Sequence, residues 1–114
     1  MDEEERQLLL TAAWLFARHG QGVRARNVLE ALAEENPRDG VVAAMLADLL
    51  LEERQAVAAL DVVRSGEFPP ELKRAEALLE TRALRMLGKT EEADARWSRF
   101  VKASRGGERE WIAT

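Results

Sequence analysis

Three alanines, Ala25, Ala59 and Ala93, recur at an interval of 34 residues, and that interval constrains the fold more than any other property of the chain. The same offset aligns Gly20 with Arg54 and Gly88, Phe16 with Leu50 and Leu84, Ala13 with Ala47 and Thr81, and Leu29 with Val63 and Trp97. A fixed period of this length marks a repeated supersecondary unit, each copy burying the apolar face of its neighbour. The residue types say what the unit is. Small side chains at Ala13, Ala25, Ala47, Ala59 and Ala93 let two antiparallel helices approach closely. Large ones at Phe16, Leu29, Leu50, Leu84 and Trp97 fill the space between hairpins. Glycine at the intervening turn permits the left-handed backbone that ends the first helix of each pair.

Capping signals divide the chain at compatible points. Asp2 caps a first helix whose opening turn is acidic, as the helix dipole favours. Asn36-Pro37 ends the second helix, Asp39 caps the third and Ser65-Gly66 stops the fourth. Pro70 suits the first position of the fifth, and Thr90-Glu91-Glu92 opens the sixth. These signals predict helices over 3–18, 22–35, 40–52, 55–65, 70–87 and 90–104. β-branched residues are few and period-two alternation is not sustained, so the expected class is all-α. A helical bundle whose alanines share the spacing by chance is the alternative arrangement of the same elements.

The first unit runs Leu9, Ala12-Ala13, Phe16, Gly20, Ala25, Leu29, Leu32, Pro37 and resembles the tetratricopeptide motif, whose period is 34. The third unit carries Leu84, Gly88, Ala93, Trp97 and Phe100. The resemblance implies one domain over residues 1–114, a short curved solenoid of three hairpins at about 6–39, 40–73 and 74–107. The second unit departs from the motif at Arg54, Gly66 and Pro69-Pro70, where a distortion of the stack is expected. Residues 108–114, with Trp111-Ile112, form a C-terminal tail with three readings: a cap on the third hairpin, a further helix, or a contact with a second copy.

Composition narrows the function. There is no Cys, hence no disulfide framework, thiolate nucleophile or Cys-based metal site. The lone His19 adjoins Gly20 in a turn, where it caps a helix C-terminus; one His cannot build the usual zinc shell. The few hydroxyl residues lie in no nucleophile-elbow context, and Gly20-Gln21-Gly22 lacks the strand and Lys-Ser/Thr of a phosphate loop. The acidic pairs sit at helix ends. The expectation is therefore no enzyme, no cofactor and no metal.

Seventeen basic residues are scattered among 21 acidic ones, for a net charge of −4; no basic block with interleaved aromatics points to nucleic acid. The longest apolar run, Val41 to Ala47, is far short of a membrane span. The acidic opening Met1-Asp2-Glu3-Glu4-Glu5 lacks the basic character of a secretion signal, so a cytoplasmic location is expected.

In tetratricopeptide proteins the first helix of each pair lines a concave groove. Carried onto this chain, that resemblance assigns Leu10, Trp14 and Arg18 in unit one, Val41, Ala44, Asp48 and Leu51 in unit two, and Leu78, Arg82, Arg85 and Met86 in unit three. Such a trough, apolar with charged flanks and Trp and Met as anchors, suits the apolar face of an amphipathic helix. It has no Lys, unlike the carboxylate clamps of heat-shock co-chaperones.

The stretch Gly22-Val23-Arg24-Ala25-Arg26-Asn27-Val28-Leu29-Glu30, with Leu84-Arg85-Met86-Leu87-Gly88 and Ala93, resembles the needle-subunit chaperones of bacterial type III secretion. That resemblance implies sequestration of the needle subunit's apolar helix, often alongside a small helical co-chaperone. The alternatives are a generic assembly scaffold or homodimerisation module, and, from another class, a small-molecule binder with a deep closed pocket.

Overall fold

The same local geometry occurs three times in the computed structural model, which describes the backbone of residues 1–113 and the side chains of residues 1–106. Gly20, Arg54 and Gly88 have φ of 72°, 63° and 77°. At each, the residue after the left-handed position returns its N–H to a carbonyl five residues back: Gln21 to Phe16 at 2.8 Å, Gln55 to Leu50 at 2.8 Å and Lys89 to Leu84 at 2.9 Å. This is the 6→1 bond of a Schellman ending, which satisfies a carbonyl that the helix leaves open. The next helix then starts at once, with the N–H of Ala25, Ala59 and Ala93 donating to the carbonyls of Gln21, Gln55 and Lys89.

The elements are α1 (Glu3–Arg18), α2 (Gly22–Glu35), α3 (Gly40–Glu52), α4 (Ala56–Ser65), α5 (Lys73–Met86) and α6 (Thr90–Ala113), with a 3-10 turn at Pro70–Leu72 before α5. The fold is all-α, and no strand occurs among the described residues. Three antiparallel hairpins, α1/α2, α3/α4 and α5/α6, stack in order, with α2 against α3, α4 against α5, and α3 touching both α1 and α5. Ala25, Ala59, Ala93, Ala13 and Ala47 are all fully buried where helices cross. Leu29, Leu51, Val42 and Val63 are the largest fully enclosed side chains, each contributing about 1.5–3 kcal/mol by removal from water.

Asp39 ties the first hairpin to the second. One carboxylate oxygen accepts from the N–H groups of Val41 and Val42 at 3.1 and 3.3 Å, capping α3. The same side chain receives the Arg6 guanidinium in a two-point pair at 2.7 and 3.1 Å.

The second unit departs from the motif without losing the stack. At Arg54 there is no distortion: an L-residue occupies the left-handed position of the two glycines. After α4 the chain takes a different path. Glu67 N–H donates to the Arg38 carbonyl at 2.8 Å, and Asp39 and Glu67 form an isolated parallel bridge. Phe68 is then buried in the core. Gly40 and Gly66 make that return possible. A Cβ on Gly40 would collide with the backbone of Glu67 and Phe68, and one on Gly66 would fall 2.8 Å from Ala43 Cβ and 3.1 Å from the Phe68 ring.

The expected fifth helix, 70–87, is replaced by a 3-10 turn followed by α5. Pro69 is extended, as the residue before a proline is steered to be, and the first bonds are the tighter ones from Leu72 to Pro69 and Lys73 to Pro70; Leu72, at φ −107° and ψ 8°, separates this turn from α5. α6 runs past its expected end at 104 and through Gly106 and Gly107, since glycine permits a helix to end without requiring it. The proposed capping or docking role of residues 108–114 lies outside the described side chains.

Candidate functional site

α1, α3 and α5 are the first helices of the three hairpins, and one face of each lies on a common side of the stack. Between α1 and α3 is a depression of about 310 Å³ lined by Ala13, Trp14, Ala17, Arg18, Leu29, Met45, Asp48, Leu49 and Glu52. A second, of about 380 Å³, lies between α3 and α5 and is lined by Ala44, Met45, Asp48, Ala75, Leu78, Leu79 and Arg82. Met45 and Asp48 belong to both. The two therefore form one trough crossing three helices.

Its chemistry is apolar at the floor and charged at the rim. Trp14 is 50% exposed and carries the Arg18 guanidinium over its ring, 4.7 Å from the centroid. This four-residue spacing puts both on one face of α1, where the guanidinium is attracted to the ring face. Across the trough Arg82 pairs with Asp48 at 3.0 Å, joining α5 to α3 at the repeat interval. Leu78 and Met86 are also exposed. No hydroxyl lines the trough, and no three His, Asp or Glu side chains converge on a metal-binding position among the described residues. Such a surface can hold apolar side chains and orient them by charge.

Of the positions expected from the sequence, Trp14, Arg18, Ala44, Asp48, Leu78 and Arg82 line the trough. The five others sit at its margins or turn elsewhere. Val41 is half-buried against the core, Met86 lines neither depression, and Arg85 pairs with Asp94 of α6 at 3.3 Å. Leu51 was expected in the groove, but it is 1% exposed. Together with buried Leu10 it belongs to the hydrophobic core and presents nothing to a ligand. Met45, absent from the expectation, takes the central place. It follows Ala44 and precedes Asp48 by three, so the helical spacing 41, 44, 45, 48, 52 would have found it.

The perturbed carboxylates lie away from the trough and serve the scaffold. The Arg6 guanidinium holds Asp39 below the ordinary carboxylate range, partial burial opposing it and the Val42 N–H adding to it. Burial pushes the Glu80 carboxyl up, but hydrogen bonds from Arg96 and Arg64 outweigh it and the net shift is down. Glu80 thereby links α5 to α6 and α4.

No protein-family model matches the sequence, and comparison with curated proteins finds no match.

Proposed function

We propose that this chain is a tetratricopeptide-like adaptor or chaperone that holds an amphipathic helix of another protein in the trough of α1, α3 and α5. The observation that carries the reading is the continuity of the trough: Trp14, Met45 and Leu78 succeed one another across three helices, flanked by the charged side chains Arg18 and Glu52 and by the ion pair Asp48/Arg82. An amphipathic helix presents apolar side chains three and four residues apart with charges beside them. Trp and Met are suited to receive them, one as a rigid anchor and the other as an adaptable one. No helix among the described residues is long and apolar enough to cross a membrane, and a cytoplasmic partner fits the reading.

The narrower form, sequestration of a type III secretion needle subunit with a small helical co-chaperone, draws on the sequence resemblance of Gly22–Glu30 and Leu84–Gly88. A helix that would otherwise polymerise suits an apolar trough, which hides its assembly surface.

The test is affinity capture from the source cell with the wild type, a trough variant (Trp14→Ala with Leu78→Glu) and a control on another surface (Val57→Glu). All three positions are exposed, so helical circular dichroism should be unchanged. A bound protein retained by the wild type and the control, and lost from the trough variant, supports the reading. Equal retention by the trough variant sinks it.

A further inference from the structure

The repeat register identifies a second surface, separate from the trough and independent of the function proposed for it. In the interior of the stack Val42 and Leu49 of α3 are 1% and 6% exposed. Both lie on the side of α3 that meets α2. Leu49 shares the floor of a depression with Leu29 and sits beside Gly22, while Val42 shares another with Ala33. Thirty-four residues earlier the same positions of α1 are Leu8 and Leu15. They are 71% and 44% exposed, with Ala12 half-buried between them. The first hairpin thus carries, uncovered, the face that α3 covers with a preceding helix.

The complementary face is also on this chain. Leu29 and Ala33 of α2 correspond, two periods on, to Trp97 and Val101 of α6. These are half-buried, as is Phe100, whose ring lies 5.4 Å from that of Trp97. α6 packs on α5 and has no helix on its other side among the described residues.

Charge agrees with the register. The end of α2 lies by the start of α3, and the start of α2 by the end of α3. Transposed, the later turns of α6, which carry exposed Lys102 and Arg105, lie by the acidic first turn of α1, Glu3-Glu4-Glu5, and Arg105 takes the place of Pro37 beside the start of α3.

We infer that the occupant of the α1 face is a second copy of this chain, docked through Trp97, Phe100 and Val101 of its α6, so that copies stack head to tail in the register of the hairpins. Such a contact is heterologous and leaves one free face at each end, so it does not close at a dimer.

The experiment is analytical ultracentrifugation of the intact chain with two face variants. Leu8→Glu with Leu15→Glu blocks the α1 face; Lys102→Glu with Arg105→Glu repels it from the α6 side. All four side chains are exposed, and circular dichroism verifies the fold; Leu8→Glu alone serves if the pair perturbs it. The wild type is expected to grow in average mass beyond a dimer as concentration rises. Each variant alone should associate at least tenfold more weakly, and an equimolar mixture of the two should form a one-to-one dimer through the two intact faces. A wild type that stays monomeric at millimolar concentration overturns the inference. So does one that stops at a dimer, a variant that self-associates like the wild type, or a mixture that does not pair.

Discussion

Arg54 holds a φ of 63°, which costs an L-residue with a long side chain about 1 kcal/mol. Glycine serves the identical turn at positions 20 and 88, and the Arg54 side chain is exposed. Arg54→Gly should therefore raise stability by roughly 0.5–1 kcal/mol, read as a higher urea midpoint with unchanged slope; a lower midpoint would contradict the turn geometry. Thr81 is the second exception to the register. Its counterparts are Ala13 and Ala47, and its buried hydroxyl has no hydrogen-bond partner. An unpaired buried polar group costs about 1–3 kcal/mol, so Thr81→Ala should stabilise despite losing a methyl group. Gly40 gives the opposite sign. Its absent side chain is where the Glu67–Phe68 backbone passes, and Gly40→Ala should cost roughly 1–3 kcal/mol through forced displacement. Calorimetric unfolding of the three variants orders them against the wild type.

At the scale of elements, the second and third hairpins are joined by the Glu80 carboxylate, held between Arg64 of α4 and Arg96 of α6. Its folded-state pKa lies below its unfolded one. The stability from this pairing is therefore present above the ordinary carboxylate range, near pH 4, and is lost as pH falls through the lower folded value. Asp39 behaves alike at the junction of α1 and α3. Glu80→Gln should cost about 1–2 kcal/mol at neutral pH, and its difference from the wild type should shrink in acid; a constant difference across the titration would show that the charge is not what matters.

How much of each element could be read in the sequence follows from local chemistry. α1, α2 and α3 begin and end where expected because caps and turn residues sit at their ends. α5 starts late because Pro69, preceding another proline, is held extended and the chain makes a 3-10 turn before it settles into the helix at Lys73, a matter of backbone angles that the residue pattern does not count. The candidate trough came from positions carried over with the tetratricopeptide resemblance, which reach it at Trp14 and Arg18 on α1 and at Leu78 and Arg82 on α5 but not at Leu10, Arg85 or Met86. On α3, apolar nearly all round, the carried-over pattern took Leu51, which the core encloses, and passed over Met45, which the helical spacing from Ala44 to Asp48 puts on the trough side.

In the whole molecule, α3 is the element through which the stack holds together. It touches α1, α2, α4 and α5, and eight of its 13 residues are buried, whereas α1 and α6 each have an open side. A linear array derives its stability from hairpins and their nearest-neighbour junctions, and local opening begins where fewest junctions must break. The terminal hairpins can open while the central one stays closed, but α3 cannot open without breaking contact with both. Amide hydrogen exchange should therefore show α3 as the most protected helix, with α4 and the inner faces of α2 and α5 next, and the outer turns of α1 exchanging sooner. If copies stack through the α1 face, protection of α1 should rise with protein concentration while that of α3 stays constant. Exchange in α3 as fast as in α1, in dilute protein, would mean that the three hairpins open as one unit and that stability is not built from junctions.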